Sequence, residues 1–314
     1  MTVVIVLVII VTLMFAVGYF MFASVFDMKN FHYEDPKDDE IDNEKDLMRP
    51  TARRYYEFRK PYRDVFFDNH FEDLYIKSFD GLKLHGYLLR GTSDEVIICV
   101  HGYKASPEID YADKLEMYKK RGCNVLMIDD RAFGKSEGRY TGFSEHDKYD
   151  VRDWVGKINE MFESPRIYLH GISMGGATVV HSADMHLKNV KGIIDDCGFT
   201  SIDEITRFIM KTSYHLPYFP IGNIASLFSK IIAHIDFNGS NGEESVKCGE
   251  VPIVFIHGKS DHFVPCEMSE RMYEKCTGPK DILLVEGCGH AACYAMAKEE
   301  YEKIVYRLLD GEIK

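Results

Sequence analysis

The chain has 314 residues, 46% of them hydrophobic and 28% charged. That mixture excludes collagen-like, low-complexity and wholly disordered chains, and the length suffices to bury a large core without disulfides or a metal. A formal net charge of −12 repels phosphate backbones, so nucleic acid is excluded as an expected partner. The eight cysteines are scattered from Cys99 to Cys293 with neither a CxxC pair nor a Cys/His run at zinc spacing, and they read as structural thiols.

The first element, Met1 to Phe26, has no charged side chain. As a helix rising about 1.5 Å per residue it would measure about 39 Å, enough to cross a ~30 Å hydrocarbon layer with some tilt. It lacks the basic start and small-x-small cleavage site of a secretory signal, and it is apolar on every face, unlike the helix of a globular core. The expectation is a single-pass anchor over residues 1–26, separable from a body that stays active without it. Lys29 and Lys37 after the span, together with the unpaired cysteines, tilt the body towards the cytoplasmic face. The acidic flank Asp27–Asp46 pulls the other way. Residues 27 to about 48 are polar and aperiodic and read as a stalk. Arg53–Lys60 then reads as a short basic-aromatic helix that either packs its rings on the body or meets anionic headgroups. Stalk and helix together occupy 27–63, and a body of 64–314 follows.

Within the body, Phe71–Ser78 and Leu82–Arg90 alternate with period two around Asp80-Gly81, a hairpin signal. Apolar strands without alternation follow at Val96–Val100, Val125–Asp129, Ile167–His170, Val190–Ile194, Val251–Ile256 and Ile282–Val285. Helical stretches lie between them, which predicts an α/β architecture: a mostly parallel sheet of eight strands covered on both faces. The interval from about 200 to 248 is twice as long as most others, and reads as an inserted helical cap. Its Phe208, Ile209, Met210, Tyr214, Leu216, Pro217, Tyr218 and Phe219 would either line an apolar acyl pocket or form the cap's own core.

The chemistry concentrates at Tyr168-Leu169-His170-Gly171-Ile172-Ser173-Met174-Gly175-Gly176-Ala177, where an apolar strand runs through Gly-x-Ser-x-Gly into a helix-forming stretch. Small residues at 171 and 175 permit the tight turn that holds a serine hydroxyl clear of a sheet. A serine needs a base, and the base needs an acid to fix its tautomer. Asp261 follows the strand Val251–Ile256, and His290 follows the last strand, so Ser173, Asp261 and His290 occur in the chain order of an α/β-hydrolase.

These motifs resemble those of the α/β-hydrolase superfamily over roughly residues 70 to 312, and most closely its serine-aminopeptidase-like and acylglycerol-lipase-like group. His101-Gly102-Tyr103 matches the His-Gly-aromatic oxyanion element. Asp129-Asp130-Arg131-Ala132-Phe133-Gly134-Lys135-Ser136-Glu137-Gly138 matches the Asp-x-Arg-Gly-x-Gly-x-Ser-x-Gly loop, with Ala132 in place of the usual glycine. The resemblance implies the α/β-hydrolase fold, Ser173, His290 and Asp261 as catalytic residues, and an oxyanion hole built from the backbone N–H groups of Tyr103 and Met174. The Tyr103 ring would then be a pocket wall or its hydroxyl a further donor.

Each role has rival residues in the sequence. His262 is the alternative base, and Asp195 or Asp196 the alternative acid. His101, His170 and His257 read as loop-fixing or core residues, and Cys288 and Cys293 lack the turn a nucleophile needs. No metal and no cofactor is expected. The expected activity is hydrolysis of a small-molecule carboxylic ester with a short-to-medium acyl chain, through an acyl-enzyme. The alternative is an aminopeptidase-like amide hydrolase, with Asp203, Glu204, Glu243 or Glu244 binding the substrate amine. Behind it stand a thioesterase, an acyltransferase and an inactive binding module. Sequence leaves the oligomeric state open.

Overall fold

The computed structural model describes residues 1–33 and 52–314. Most of the segment read as a stalk lies outside these described residues. Helix α1 (Thr2–Phe26) is followed by α2 (Ala52–Asp64) and the strands β1 (Glu72–Lys77), β2 (Lys83–Leu89) and β3 (Glu95–Val100). Helices α3 (Pro107–Tyr111) and α4 (Leu115–Lys120) lead to β4 (Asn124–Ile128), and α5 (Asp147–Met161) leads to β5 (Arg166–Ile172). Then come α6 (Met174–His181), β6 (Val190–Asp196), α7 (Ile202–Thr212), α8 (Ile221–Phe228) with a π-helical turn at Ser229–Ala233, and α9 (Gly242–Ser245). Strand β7 (Ile253–Gly258), α10 (Cys266–Lys275), β8 (Lys280–Val285), α11 (Cys293–Met296) and α12 (Lys298–Leu309) complete the chain.

The eight strands form one sheet in the order β1-β2-β4-β3-β5-β6-β7-β8. β2 pairs antiparallel with both β1 and β4, and every pairing from β4 to β8 is parallel. The apolar runs of β3, β4 and β7 are buried throughout because helices cover both faces. Successive side chains divide between the two faces. Ile97 and Cys99 join a core with Tyr118, Tyr301 and Val254, whereas Val96, Ile98 and Val100 join another with Trp154, Leu169 and Phe255. α2 packs its rings on the body: Tyr55 is buried, Phe58 meets Tyr294 edge-on, and Arg59 Nη1 donates to the Ile109 carbonyl at 2.8 Å.

A third core lies beyond the C-terminal edge of the sheet, between the sheet and the insertion carrying α7, α8 and α9. It joins Met174, Phe143, Phe199, Ile205, Ala225 and Phe237 to Phe22 and Phe26 of α1. Among the described residues α1 is the one helix long and apolar enough to cross a membrane. It does not, however, stand clear of the body. Gly18, Phe22 and Phe26 are buried along one i, i+4 stripe, although most of the preceding helix is exposed. A Cβ at Gly18 would come within 2.4 Å of Ile224 Cγ2, so α1 and α8 cross in close contact there. Beyond the helix, Asp27 forms an ion pair with Arg139 at 2.6 Å. Sequence could not show this stripe, because a segment apolar on every face has no distinguished one.

Candidate active site

Ser173 sits between β5 and α6 with φ 56° and ψ −113°, a conformation that disfavours a residue with a Cβ. Two close approaches enforce the turn. A Cβ at Gly171 would lie 2.0 Å from the Gly175 carbonyl oxygen, and one at Gly175 would lie 2.0 Å from that of Val100. The two glycines therefore allow the chain to reverse against β3 while the Ser173 N–H donates to the Asp196 carbonyl at 2.7 Å.

His290 and Asp261 come from loops after β8 and β7, at the same sheet edge. Ser173 Oγ lies 2.8 Å from His290 Nε2, and His290 Nδ1 lies 2.6 Å from Asp261 Oδ2. An ionised carboxylate can only accept, so Nδ1 carries the proton and Nε2 is left to accept from the serine hydroxyl. Asp261 is buried. Its Oδ1 accepts the N–H groups of Phe263 at 2.8 Å and Val264 at 2.9 Å, and its Oδ2 is also 3.2 Å from His257 Nε2. Burial opposes ionisation, but the charges and hydrogen bonds of His290 and His257 outweigh it and hold Asp261 well below the usual carboxylate range. The Phe263 ring lies 5.1 Å from the His290 ring, centroid to centroid.

The Tyr103 loop abuts this turn: a Cβ on Gly102 would sit 3.4 Å from Ser173 Cβ. Among the described residues, neither the Tyr103 nor the Met174 backbone N–H has a hydrogen-bond acceptor within the chain. Gly102 N–H is held by Asp110 Oδ2 at 2.7 Å, and His101 fixes the loop by accepting the Asp130 N–H at 3.2 Å. The Tyr103 hydroxyl is engaged by α1, donating to the Val25 carbonyl at 2.8 Å. Nothing in the sequence signalled this contact.

The side chains of the rival residues are not bonded to the Ser173 hydroxyl. His262 is exposed, whereas His290 is the histidine bonded to Ser173. His170 is enclosed between the hydroxyls of Tyr118 at 2.8 Å and Tyr301 at 2.9 Å, and burial pulls its pKa well down. His257 is buried too, its Nε2–H donating to the Val264 carbonyl at 3.0 Å and its Nδ1 facing Ser269 at 2.7 Å. Asp195 accepts from the Gly198 N–H at 2.8 Å, and Asp196 from the Tyr301 hydroxyl at 2.9 Å. Cys288 and Cys293 are buried behind His290 with their sulfurs 3.6 Å apart. Cys197, Asp261 and His290 offer three donor atoms within 4.8 Å of one another. Burial raises the Cys197 thiol well above its ordinary pKa, and a metal there would have to displace the bond between His290 and Asp261.

The fold and this constellation define an α/β-hydrolase. Residues 91–241 match the family model described as serine aminopeptidase, S33. The uncharacterized protein YqkD of Bacillus subtilis is 30% identical over 257 residues, covering 79% of this chain and 83% of its own. Among solved structures, the Pyrococcus furiosus esterase Pf2001 superposes with a TM-score of 0.65 at 24% identity, over 78% of this chain and 92% of its own. Est1E of Butyrivibrio proteoclasticus, solved with ferulic acid bound, superposes at 0.59 and 22% identity over 75% and 97%. The chain belongs to the α/β-hydrolase superfamily, in its serine-aminopeptidase-like group, and is a hydrolase.

Proposed function

We propose that the protein is a membrane-anchored serine hydrolase that cleaves carboxylic esters of short-to-medium acyl chains through an acyl-enzyme. The observation that carries the reading is the bonding of His290 to both Ser173 Oγ and Asp261 at a strained strand-to-helix turn. His290 Nε2 takes the hydroxyl proton as Ser173 attacks the acyl carbon, and Asp261 stabilises the imidazolium. The acceptor-free N–H groups of Tyr103 and Met174 receive the developing oxyanion. Collapse of the tetrahedral intermediate expels the alcohol, protonated by His290. Water then repeats the sequence on the acyl-serine and releases the acid. A cap of this size leaves limited room to bury a long acyl chain, which is why shorter chains are expected.

Amide cleavage at a peptide N-terminus needs free carboxylates to hold the amine, and the four cap candidates are engaged. Asp203 pairs with Arg207 at 2.6 Å, Glu204 and Glu243 with Arg271, and Glu244 with Lys247 at 2.7 Å. These pairings favour the ester reading. The esterase Pf2001 and Est1E support it by analogy of fold.

The test combines a fluorophosphonate probe with a panel of p-nitrophenyl esters and aminoacyl-anilides. Ser173→Ala and His290→Ala should each lower kcat by on the order of 10⁴ or more, and Ser173→Ala should abolish labelling, with Asp261→Asn somewhat milder. Labelling of purified Ser173→Ala protein, or faster turnover of anilides than of esters, would overturn the reading.

A further inference from the structure

Helix α1 and the cap are joined where α1 would still be inside a membrane. Its 25 residues give a length of about 37 Å, some seven more than a hydrocarbon layer of ~30 Å. A span beginning near Thr2 therefore ends near Met21. Phe15, Gly18 and Tyr19 fall in about the last 10 Å of it. These residues are the ones that α8 touches: the Phe228 ring lies 6.3 Å from that of Phe15 and 5.3 Å from that of Tyr19, and Ile224 closes on Gly18. Whatever lies against them shares their depth.

The outward side of that part of the cap is apolar. Leu227 of α8 and Ile231 of the following π-helical turn are four residues apart and both exposed, Ile231 at 62%. The loop joining α7 to α8 presents Tyr214 at 65%, Leu216 at 43% and Phe219 at 76%, whereas Phe22 and Phe26 on the inner stripe of α1 are 1% and 2% exposed. Five large apolar side chains, Tyr214, Leu216, Phe219, Leu227 and Ile231, are thus left uncovered within one short stretch of the chain. Lys211 precedes the loop and Lys29 follows α1, and both are exposed. The acid Asp236 is neutralised by Lys230 at 2.6 Å. Aromatic rings and lysines suit the boundary between acyl chains and anionic headgroups.

We infer that the cap face carrying Tyr214, Leu216, Phe219, Leu227 and Ile231 is seated in the bilayer interface beside α1, with lipid as its partner. The inference rests on the anchor reading of α1. It makes the anchor an orienting element: Tyr103, bonded through its hydroxyl to the Val25 carbonyl of α1, is held beside the layer where amphiphilic esters concentrate, so these reach Ser173 from the lipid side.

The single tryptophan, Trp154, is fully buried, which makes introduced tryptophans readable against a constant background. The full chain is reconstituted in vesicles of phosphatidylcholine and phosphatidylglycerol, with or without brominated acyl chains. Tryptophan is placed at Ile10, Phe219, Leu227 or Ile231, and at the exposed Phe79 near β1 as a control. Loss of emission with brominated lipid is expected for Ile10→Trp, Phe219→Trp, Leu227→Trp and Ile231→Trp, and none for Phe79→Trp. Quenching of Ile10→Trp alone would leave the anchor standing and overturn the seated cap, as would shielding of the cap sites by a second copy of the chain. Unquenched Ile10→Trp would overturn both readings. Equal quenching of Phe79→Trp would overturn the inference as general adhesion of the body.

Discussion

At Ser173 the constraint is in the backbone, whereas at the end of α1 it is in the side chains. The turn around Ser173 exists because two chain segments approach closer than any Cβ would allow, at Gly171 and Gly175. The end of α1 is held mainly by the rings of Phe22 and Phe26 stacked on each other and against Tyr140, Phe143 and Phe237, with the Tyr103 hydroxyl bond, the Asp27–Arg139 ion pair and two backbone bonds, Thr141 N–H to the Phe26 carbonyl and Met28 N–H to the Arg139 carbonyl, beside them. A backbone constraint demands particular residues at fixed spacing. A packing constraint accepts any large apolar residue that fills the space. The first therefore leaves a signature and the second does not.

The largest effect is expected at the turn. Gly175→Ala places a methyl on the Val100 carbonyl, where backbone would have to yield to backbone. Ester hydrolysis should fall by on the order of 10³ or more, and the protein should melt well below the parent in detergent. Activity near the parent level would mean that the turn relaxes freely and that close backbone approach does not constrain it.

At the α1 end, Phe26→Ala opens a cavity among Phe22, Phe143 and Phe237 and should cost about 3–5 kcal/mol, whereas Phe20→Ala on the exposed side should stay within about 0.5 kcal/mol. Truncation sharpens the point. A chain beginning at Gly18 keeps the inner stripe and the Val25 carbonyl; one beginning at Asp27 uncovers Phe143 and Phe237 and frees the Tyr103 hydroxyl. The longer form should melt higher and hydrolyse water-soluble esters faster, measured side by side. Equal behaviour would restore the expectation of a freely separable anchor.

Much of the sheet edge was legible for this reason. The order Ser173, Asp261, His290, the loop at Tyr103 and the cap interval are stated by residue type and spacing, and the distances among them follow from the strand order. The buried strands were legible as apolar runs, and the β1–β2 hairpin as alternation around Gly81. Three features were not. The contact of α1 with α8 depends on one face of a helix whose faces are alike. The placement of Arg59 and Tyr55 of α2 on the body rather than on headgroups depends on the partner Ile109 carbonyl, 50 residues away in the chain. The pairing of Glu204 and Glu243 with one guanidinium depends on α10 reaching the cap.

Buried acids near the turn provide a pH test of intermediate size. Burial pushes Asp195 up to about 7, against the favourable charge of His257. A carboxyl whose folded pKa exceeds its unfolded one binds its proton more tightly when folded. Its contribution is fully present below the unfolded value of about 4, and is lost as pH rises towards 7. Asp195→Asn preserves the acceptor for the Gly198 N–H and removes the titration. Melting temperatures should therefore fall less steeply between pH 4 and pH 7 than in the parent, with ester hydrolysis little changed. A large loss of hydrolysis would instead return Asp195 to the role of orienting acid.

The smallest effect is expected where a backbone demand meets the wrong residue. Ala132 occupies the position that the loop motif it resembles gives to glycine, and its φ is 68°, in the left-handed region. The turn is nevertheless formed, because the Ala132 N–H donates to the Glu137 carbonyl at 3.1 Å and the neighbouring Arg131 is clamped by Asp150 through two contacts of 2.7 Å. The clamp outweighs a strain of about 1 kcal/mol. Ala132→Gly should relieve that strain while enlarging the freedom of the unfolded chain, two terms of opposite sign and similar size. The net gain should be positive but below about 1 kcal/mol, read as a rise of a few degrees at most in a thermal melt. Ala132→Val, which adds a branched side chain at the same φ, should lower the melt by more than the glycine raises it. A valine variant as stable as the parent would show that packing, rather than backbone conformation, governs this loop as it governs the end of α1.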